Sequence, residues 1–458
     1  MLSFRDPTAR REFLRVGGLA LGGLSLASTL APAGSPLATA GRPLTDKSVI
    51  FLFLHGGPSQ IETFDPKMTA PDGVRSATGE IKTAIPGVTF GGTFPKLAAL
   101  ADRFSVVRSF VTGDGNHDIK PIVGKDSFGA NLGSAYASAA GSNHPVSGMP
   151  RNIALFPQAV EAMSQPAQAG FGNFLSTGPF GPASAPFAAG GGGPFQKDLT
   201  LNVSQEKLGD RRSLLTVLDH AKLAFDENAV GMDATREKAF SILLGGVGDA
   251  FDLTKEDPKT LARYDTAGLL DVEKINKKLN NRKFYTDNAR TLGKLLLMAR
   301  RLCERGAGFV TVTTNFVWDM HADVNNAPMT EGMSYTAPPL DHAVSAFLED
   351  TRQRGLSDKI LLVACGEMGR TPTINKNGGR DHWGGLAPLL LAGGGLKMGQ
   401  VVGRSDAKAG SPNSDPVLKR NLISTVMNTL FDTGKLRVTR GVARELLAMI
   451  DADPIAGF

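Results

Sequence analysis

Four polar stretches carry side chains that could do chemistry together. Asp319, His321 and Asp323 occupy alternate positions, so an extended backbone would point all three the same way. Glu367, Arg370, Asp381 and His382 fall within sixteen residues of one another, in a stretch rich in Gly and Asn. Carboxylate and imidazole donors of this kind are the oxygen and nitrogen ligands taken by zinc, manganese and iron. A guanidinium among them can bridge carboxylates or clamp an incoming anion through its planar fork. A third cluster, from Ser109 to Asp118, contains Thr112 and His117. Its polar residues could cap a following helix, or supply a nucleophile and an acid–base group. The fourth begins His55-Gly-Gly-Pro, where His55 could ligate a metal or cap a strand, and where glycines let the backbone approach a ligand. Cys303 and Cys365 are the only cysteines and form no closely spaced pair, which argues against a structural thiolate site; both read as buried free thiols.

Each polar stretch follows a short apolar run. Residues 47–54 are continuously apolar after Lys47 and Ser48 and predict a central parallel strand. Residues 103–108, 309–314 and 359–365 predict further strands that deliver the clusters, and 387–395 one more. Residues 94–101, 211–226, 234–244, 272–305, 340–354, 418–431 and 443–450 predict helices, with Leu292, Leu295, Leu296, Ala299 and Leu302 on one face of the longest. Strands alternating with helices argue for an α/β fold, in which ligands sit at the carboxyl edge of the sheet. Residues 164–196, rich in Gly, Ala, Pro and Phe, read as a loop excursion and lid over that fold. Glu62 and Asp65 read as turn residues before Pro66.

The net charge is +6, of which +2 belongs to the first 40 residues, where four arginines face Asp6 and Glu12. The remaining charge is too small and too scattered for a nucleic-acid footprint. Arg10-Arg11-Glu-Phe-Leu followed by a weakly apolar, Gly-rich run resembles a twin-arginine export signal, although Ala9 stands where Ser or Thr is usual. Cleavage is expected at Ala38-Thr-Ala40 in preference to Ala31-Pro-Ala33. Residues 1–40 are thus a signal peptide and 41–458 a single domain, located in the periplasm or secreted after passing the twin-arginine machinery. No later segment is apolar enough to predict a membrane span in the mature chain.

The order of motifs is distinctive: HGGPSQIETFDPK (55–67), RSFVTGDGNHD (108–118), ARRLCERGAGFVTV (299–312), WDMHADV (318–324), GEMGRTPTINKNGGRDHWG (366–384) and AGGGLKMGQVVGRSD (392–406). It resembles the exported bacterial family known as domain of unknown function 1501, regarded as similar to the alkaline phosphatase and sulfatase superfamily. The resemblance implies a three-layer α/β/α sandwich with a large, mostly parallel central sheet and a metal site at its carboxyl edge. It implies His55, Asp319, His321, Glu367, Asp381 and His382 as ligands of a divalent metal (zinc, manganese, calcium or magnesium). His55 stands where the superfamily usually has an aspartate, and Glu62 where this family usually has one. The nucleophile is expected near Thr112–His117, with Thr112 attacking, His117 as acid or base and Arg370 clamping the anion. No Cys-x-Pro-x-Arg signature is present, so a formylglycine nucleophile is excluded. The expectation is an exported metal-dependent hydrolase of phosphate or sulfate esters, acting on an anionic substrate. The alternative is a non-catalytic exported protein on the same fold, recognising polysaccharide or surface proteins.

Overall fold

A computed structural model describes residues 43–190 and 247–458. The signal peptide expected at 1–40 and the helices expected at 211–226 and 234–244 lie outside the described residues. The core is an eight-stranded sheet. In chain order its strands are β1 (Ser48–Phe53), β2 (Ser105–Val107), β3 (Asn152–Leu155), β4 (Phe187–Ala189), β5 (Phe309–Thr313), β6 (Ile360–Cys365), β7 (Leu389–Gly393) and β8 (Val401–Val402). Across the sheet the order is β8-β2-β7-β6-β1-β5-β3-β4. Every neighbouring pair is parallel except the two made by β7, which runs against β6 and β2.

The alternation of side chains along each strand builds two apolar layers. Ile50 and Leu52 of β1, Val310 and Val312 of β5, and Leu362 and Ala364 of β6 face one side. There they meet the helices α2 (Arg282–Glu304) and α3 (Met329–Gln353). Val49, Phe51 and Phe53, with Phe309, Leu361, Val363 and Cys365, face the other side. That side is covered by α1 (Leu132–Ala140) and α4 (Lys419–Leu430). A strand buried on both faces needs apolar residues at every position, which is why β1 and β6 read as unbroken runs. The result is a three-layer α/β/α sandwich. Among the described residues no helix is long and apolar enough to cross a membrane.

Several elements differ from the sequence reading. Helix α2 starts at Arg282; the residues before it include only a 3-10 turn, Val272–Lys274. Helix α3 starts at Met329 and carries Pro338 and Pro339 in its interior. Proline normally stops a helix, and the expected start at 340 followed that rule. Here Met329, Met333 and Ala337 are buried against the core, and that packing carries the helix through the prolines. The excursion at 164–196 is not all loop, because Phe187–Ala189 forms the edge strand β4 beside β3. Its last residues, 191–196, lie outside the described residues. Cys303 and Cys365 are free and buried.

Candidate metal centre

Strands β5, β1 and β6 are neighbours at the middle of the sheet and point the same way. Their carboxyl ends therefore deliver residues 314–321, His55–Gly57 and Glu367 to one edge. Two more segments reach it. One is the loop after a two-residue strand at Phe110–Val111, which brings His117. The other is an antiparallel ribbon in which Gly369 pairs with Trp383 and Arg370 with His382. The ribbon explains why residues twelve apart in sequence act at the same place.

Asp319 is the hub and is only 3 % exposed. Its Oδ1 lies 2.8 Å from Arg370 Nη2, 3.1 Å from His382 Nε2 and 3.4 Å from His117 Nε2. Its Oδ2 accepts from Asn326 Nδ2 at 2.9 Å and lies 3.0 Å from His321 Nε2. The Nε2 atoms of His117 and His382 are 3.0 Å apart. Behind them, Glu367 is fully buried and lies 2.9 Å from His117 Nδ1, while also accepting from the Gly56 amide at 2.9 Å. Gly56 is required at that place: at φ +110° a Cβ would come within 2.6 Å of the Asp319 amide nitrogen. Gly115 plays the same part in the His117 loop, where a Cβ would lie 2.9 Å from the His382 Cβ.

The electrostatics follow from this packing. Burial opposes ionisation of Asp319, but the Arg370 guanidinium and the three surrounding histidines outweigh it and hold its carboxyl well below the usual range. Burial likewise opposes the charged form of His117, yet hydrogen bonds to Asp319 and Glu367 raise its pKa above the ordinary 6.5. The Asp319 hydrogen bond raises that of His321. His55 goes the other way: burial drives it down to about 4, against the pull of Glu367.

Of the residues named from sequence, Asp319, His321 and His382 meet directly, with the His321 and His382 rings centred 5.4 Å apart. Glu367 joins through His117. The others are placed differently. His55 is fully buried and neither ring nitrogen has a partner among the described residues; its ring packs edge-on against Phe171, Phe174 and Phe316. Asp381 is exposed and its Oδ1 accepts from Asn375 Nδ2 at 2.9 Å, away from the hub. Thr112 is fully buried and its hydroxyl has no hydrogen-bond partner among the described residues, so it is closed to an incoming ester. Arg370 is fully buried too, and its donors are spent on Asp319, the carbonyls of Gly56 and Gly57, and that of Arg380; it bridges the framework and does not face outward to clamp an anion. Asp323 turns away, exposed, beyond Ala322 at φ +62°, so the alternate-position pattern does not survive the bend. The cluster at 109–118 caps no helix, since the next helix begins at Leu132 under an Asn131 cap.

Two members went unread. Asn326 gave no signal, because a lone Asn in an Asn-Asn turn is ordinary. Glu62, taken for a turn residue, is fully buried against Arg380 at 2.9 Å and anchors the base of the ribbon loop. His117, read as an acid or base, lies at the centre of the cluster. One carboxylate oxygen and two imidazole nitrogens, from Asp319, His117 and His382, all lie within 4.8 Å of one another and could hold a metal ion.

Solved structures similar to the chain include the following three, each of low similarity. One is the lipoteichoic acid synthase LtaP from Listeria monocytogenes, at 8 % identity and a TM-score of 0.35, with 92 % of this chain and 80 % of that one covered. Ps i-CgsB has 12 % identity and a TM-score of 0.34, over 84 % of this chain and 72 % of that one. A Bacteroides thetaiotaomicron protein, described under the metabolism of multiple glycosaminoglycans, has 11 % identity and a TM-score of 0.33, over 90 % and 76 %. At these values none of them bears on the chemistry of the site. No curated protein matches the chain. A family model does match, over residues 46–443, which takes in every element that builds the sheet and the cluster. The chain belongs to the family described as protein of unknown function DUF1501.

Proposed function

We propose that His117, Asp319 and His382 bind a divalent cation, and that the protein is an exported metal-dependent hydrolase of phosphate or sulfate esters. The observation that carries the reading is the triangle of donor atoms, with edges of 3.0, 3.1 and 3.4 Å. Donors about 2.0–2.1 Å from one ion, at tetrahedral or octahedral angles, stand roughly 2.9–3.4 Å apart. Two imidazoles and a carboxylate also suit zinc or manganese by chemistry. A bound ion would supply Lewis-acid charge toward the ester oxygens.

The surrounding residues have separable parts in this reading. Glu367 fixes the His117 ring so that Nε2 faces the triangle. Arg370 and Asn326 hold the Asp319 carboxylate in place. His321, a quarter exposed beside Asp319, sits at the rim, where it can give or take a proton. In this reading water is the attacking group; among the described residues no Ser or Thr hydroxyl hydrogen-bonds to the triangle. That same observation, with Arg370 spent internally, favours the second reading: a non-catalytic protein that keeps the metal and binds a surface polysaccharide or protein. Export rests on Arg10-Arg11 and the apolar run after them. Replacing both arginines by lysine should leave the protein in the cytoplasm.

The test begins with elemental analysis of purified wild type, His117→Ala and His382→Ala. One ion per chain in the wild type and loss of it in both variants is expected. A wild type that neither retains nor takes up zinc, manganese, magnesium or calcium refutes both readings. Metal-loaded protein is then assayed on aryl phosphate and aryl sulfate esters with and without chelator. Chelator-sensitive turnover supports the hydrolase; binding of metal without turnover supports the second reading.

A further inference from the structure

At the opposite edge of the sheet lies a cavity of about 220 Å³. Ile360, which opens β6, and Gly393, which ends the antiparallel β7, both line it. Since Glu367 follows the far end of β6, the cavity is separate from the metal centre and owes nothing to the function proposed there. Phe347 and Leu348 of α3, with Ile360, Leu396 and Met398, give it an apolar lining. Arg103 and Arg352 also line it, together with Asp358. Arg352 and Asp358 are exposed and Arg103 is half-buried, so all three sit at its rim, and among the described residues none of their side chains has a hydrogen-bond or ion-pair partner.

These features specify a ligand class. An unpaired guanidinium offers five N–H donors in a fork that fits a carboxylate. Two of them beside apolar lining residues suit a molecule that is anionic at one end and hydrocarbon at the other. A cavity of about 150 Å³ takes a benzene ring; at about 220 Å³ there is room for a tail of five or six carbons and a carboxylate. Asp358 disfavours a second negative charge, which argues against a phosphate monoester dianion. We propose that this cavity binds a small carboxylate with an apolar tail, either a short-chain fatty acid or an apolar α-amino acid whose ammonium meets Asp358.

The experiment is calorimetric titration of the full chain with 4-methylpentanoate, L-leucine, 4-methylpentan-1-ol and inorganic phosphate. The variants are Arg103→Ala, Arg352→Ala and Asp358→Asn, all at side chains without a hydrogen-bond or ion-pair partner among the described residues. At least one of the two carboxylates should bind, with the alcohol and phosphate at least tenfold weaker. Each arginine variant should weaken that carboxylate at least tenfold. If Asp358→Asn weakens leucine alone, the ligand is an amino acid; if 4-methylpentanoate binds more tightly than leucine and ignores that change, it is a fatty acid. The proposal falls if neither carboxylate binds at millimolar concentration, if the arginine variants bind as well as wild type, or if the alcohol binds equally.

Discussion

Arg370→Ala separates a framework role from an anion-binding role. In the structure the guanidinium is fully buried, 2.8 Å from Asp319 Oδ1, and donates to Gly57 O at 2.7 Å as well as to Gly56 O. Truncation leaves the Asp319 carboxylate buried without its one permanent cation, and breaking a buried pair from one side costs about 3–5 kcal/mol. The two carbonyls lose their donor as well, at roughly 1 kcal/mol each. A loss of roughly 5 kcal/mol is therefore expected in chelator, where no added ion can replace the missing charge. Adding Asp319→Asn to the variant removes the unpaired charge and should recover about 2 kcal/mol or more, a coupling that only directly interacting residues show. Urea unfolding followed by tryptophan fluorescence measures both, because Trp318 is buried beside the hub. The same melts are repeated with phosphate, sulfate or vanadate, since a ligand stabilises only the state that binds it. If Arg370→Ala loses less than about 1 kcal/mol but no longer responds to these anions, the framework reasoning is refuted and the guanidinium faces the substrate after all.

Three further outcomes follow from named contacts. Glu367→Gln keeps an acceptor for the Gly56 amide but loses the charge facing His117 Nδ1; metal affinity should fall about 10–100-fold in a chelator competition, and an unchanged affinity would remove His117 from the ligand set. Gly56→Ala places a Cβ 2.6 Å from the Asp319 amide nitrogen and 2.8 Å from that of Trp318, so a stability loss of at least about 2 kcal/mol is expected, with metal uptake impaired in the folded fraction; wild-type stability would show that the turn can move. Asp341 accepts from the Lys96 and Leu97 amides, yet burial holds its pKa up at about 6, against 3.8 when free. A carboxyl raised in this way favours the folded state when protonated, so its contribution is present below about pH 4 and is lost as pH rises through 6. The difference of roughly two pH units corresponds to at most about 3 kcal/mol. Asp341→Asn should flatten the stability profile between pH 4 and 6, and a variant whose profile parallels wild type would rule the assignment out.

How far the site could be read from sequence depends on what positions each residue. Asp319 and Glu367 follow β5 and β6, strands buried on both faces, whose apolar runs mark both the element and the point where it ends. Ligand geometry at a sheet edge follows from that much. Asp381 fails by contrast, because it belongs to a ribbon whose register pairs Arg370 with His382 and turns the residue before His382 outward. A two-residue ribbon leaves no periodicity to read. Arg370 was open between bridge and clamp because composition cannot tell a buried guanidinium from an exposed one; only the carbonyls of Gly56 and Gly57, brought over from β1, decide it. His117 comes from a loop without regular structure, and its place beside His382 is set by Gly115, where any side chain would press on His382. The same contrast accounts for His55. It follows β1 as a ligand should, but three aromatic rings from distant segments, those of Phe171, Phe174 and Phe316, close around it. Strand ends therefore predict where a polar group arrives, and long-range packing decides whether it meets a ligand there or is sealed in. Asp319 and Glu367 were legible because a strand end and the local packing agree there, whereas at His55 the strand end was right and the packing was not.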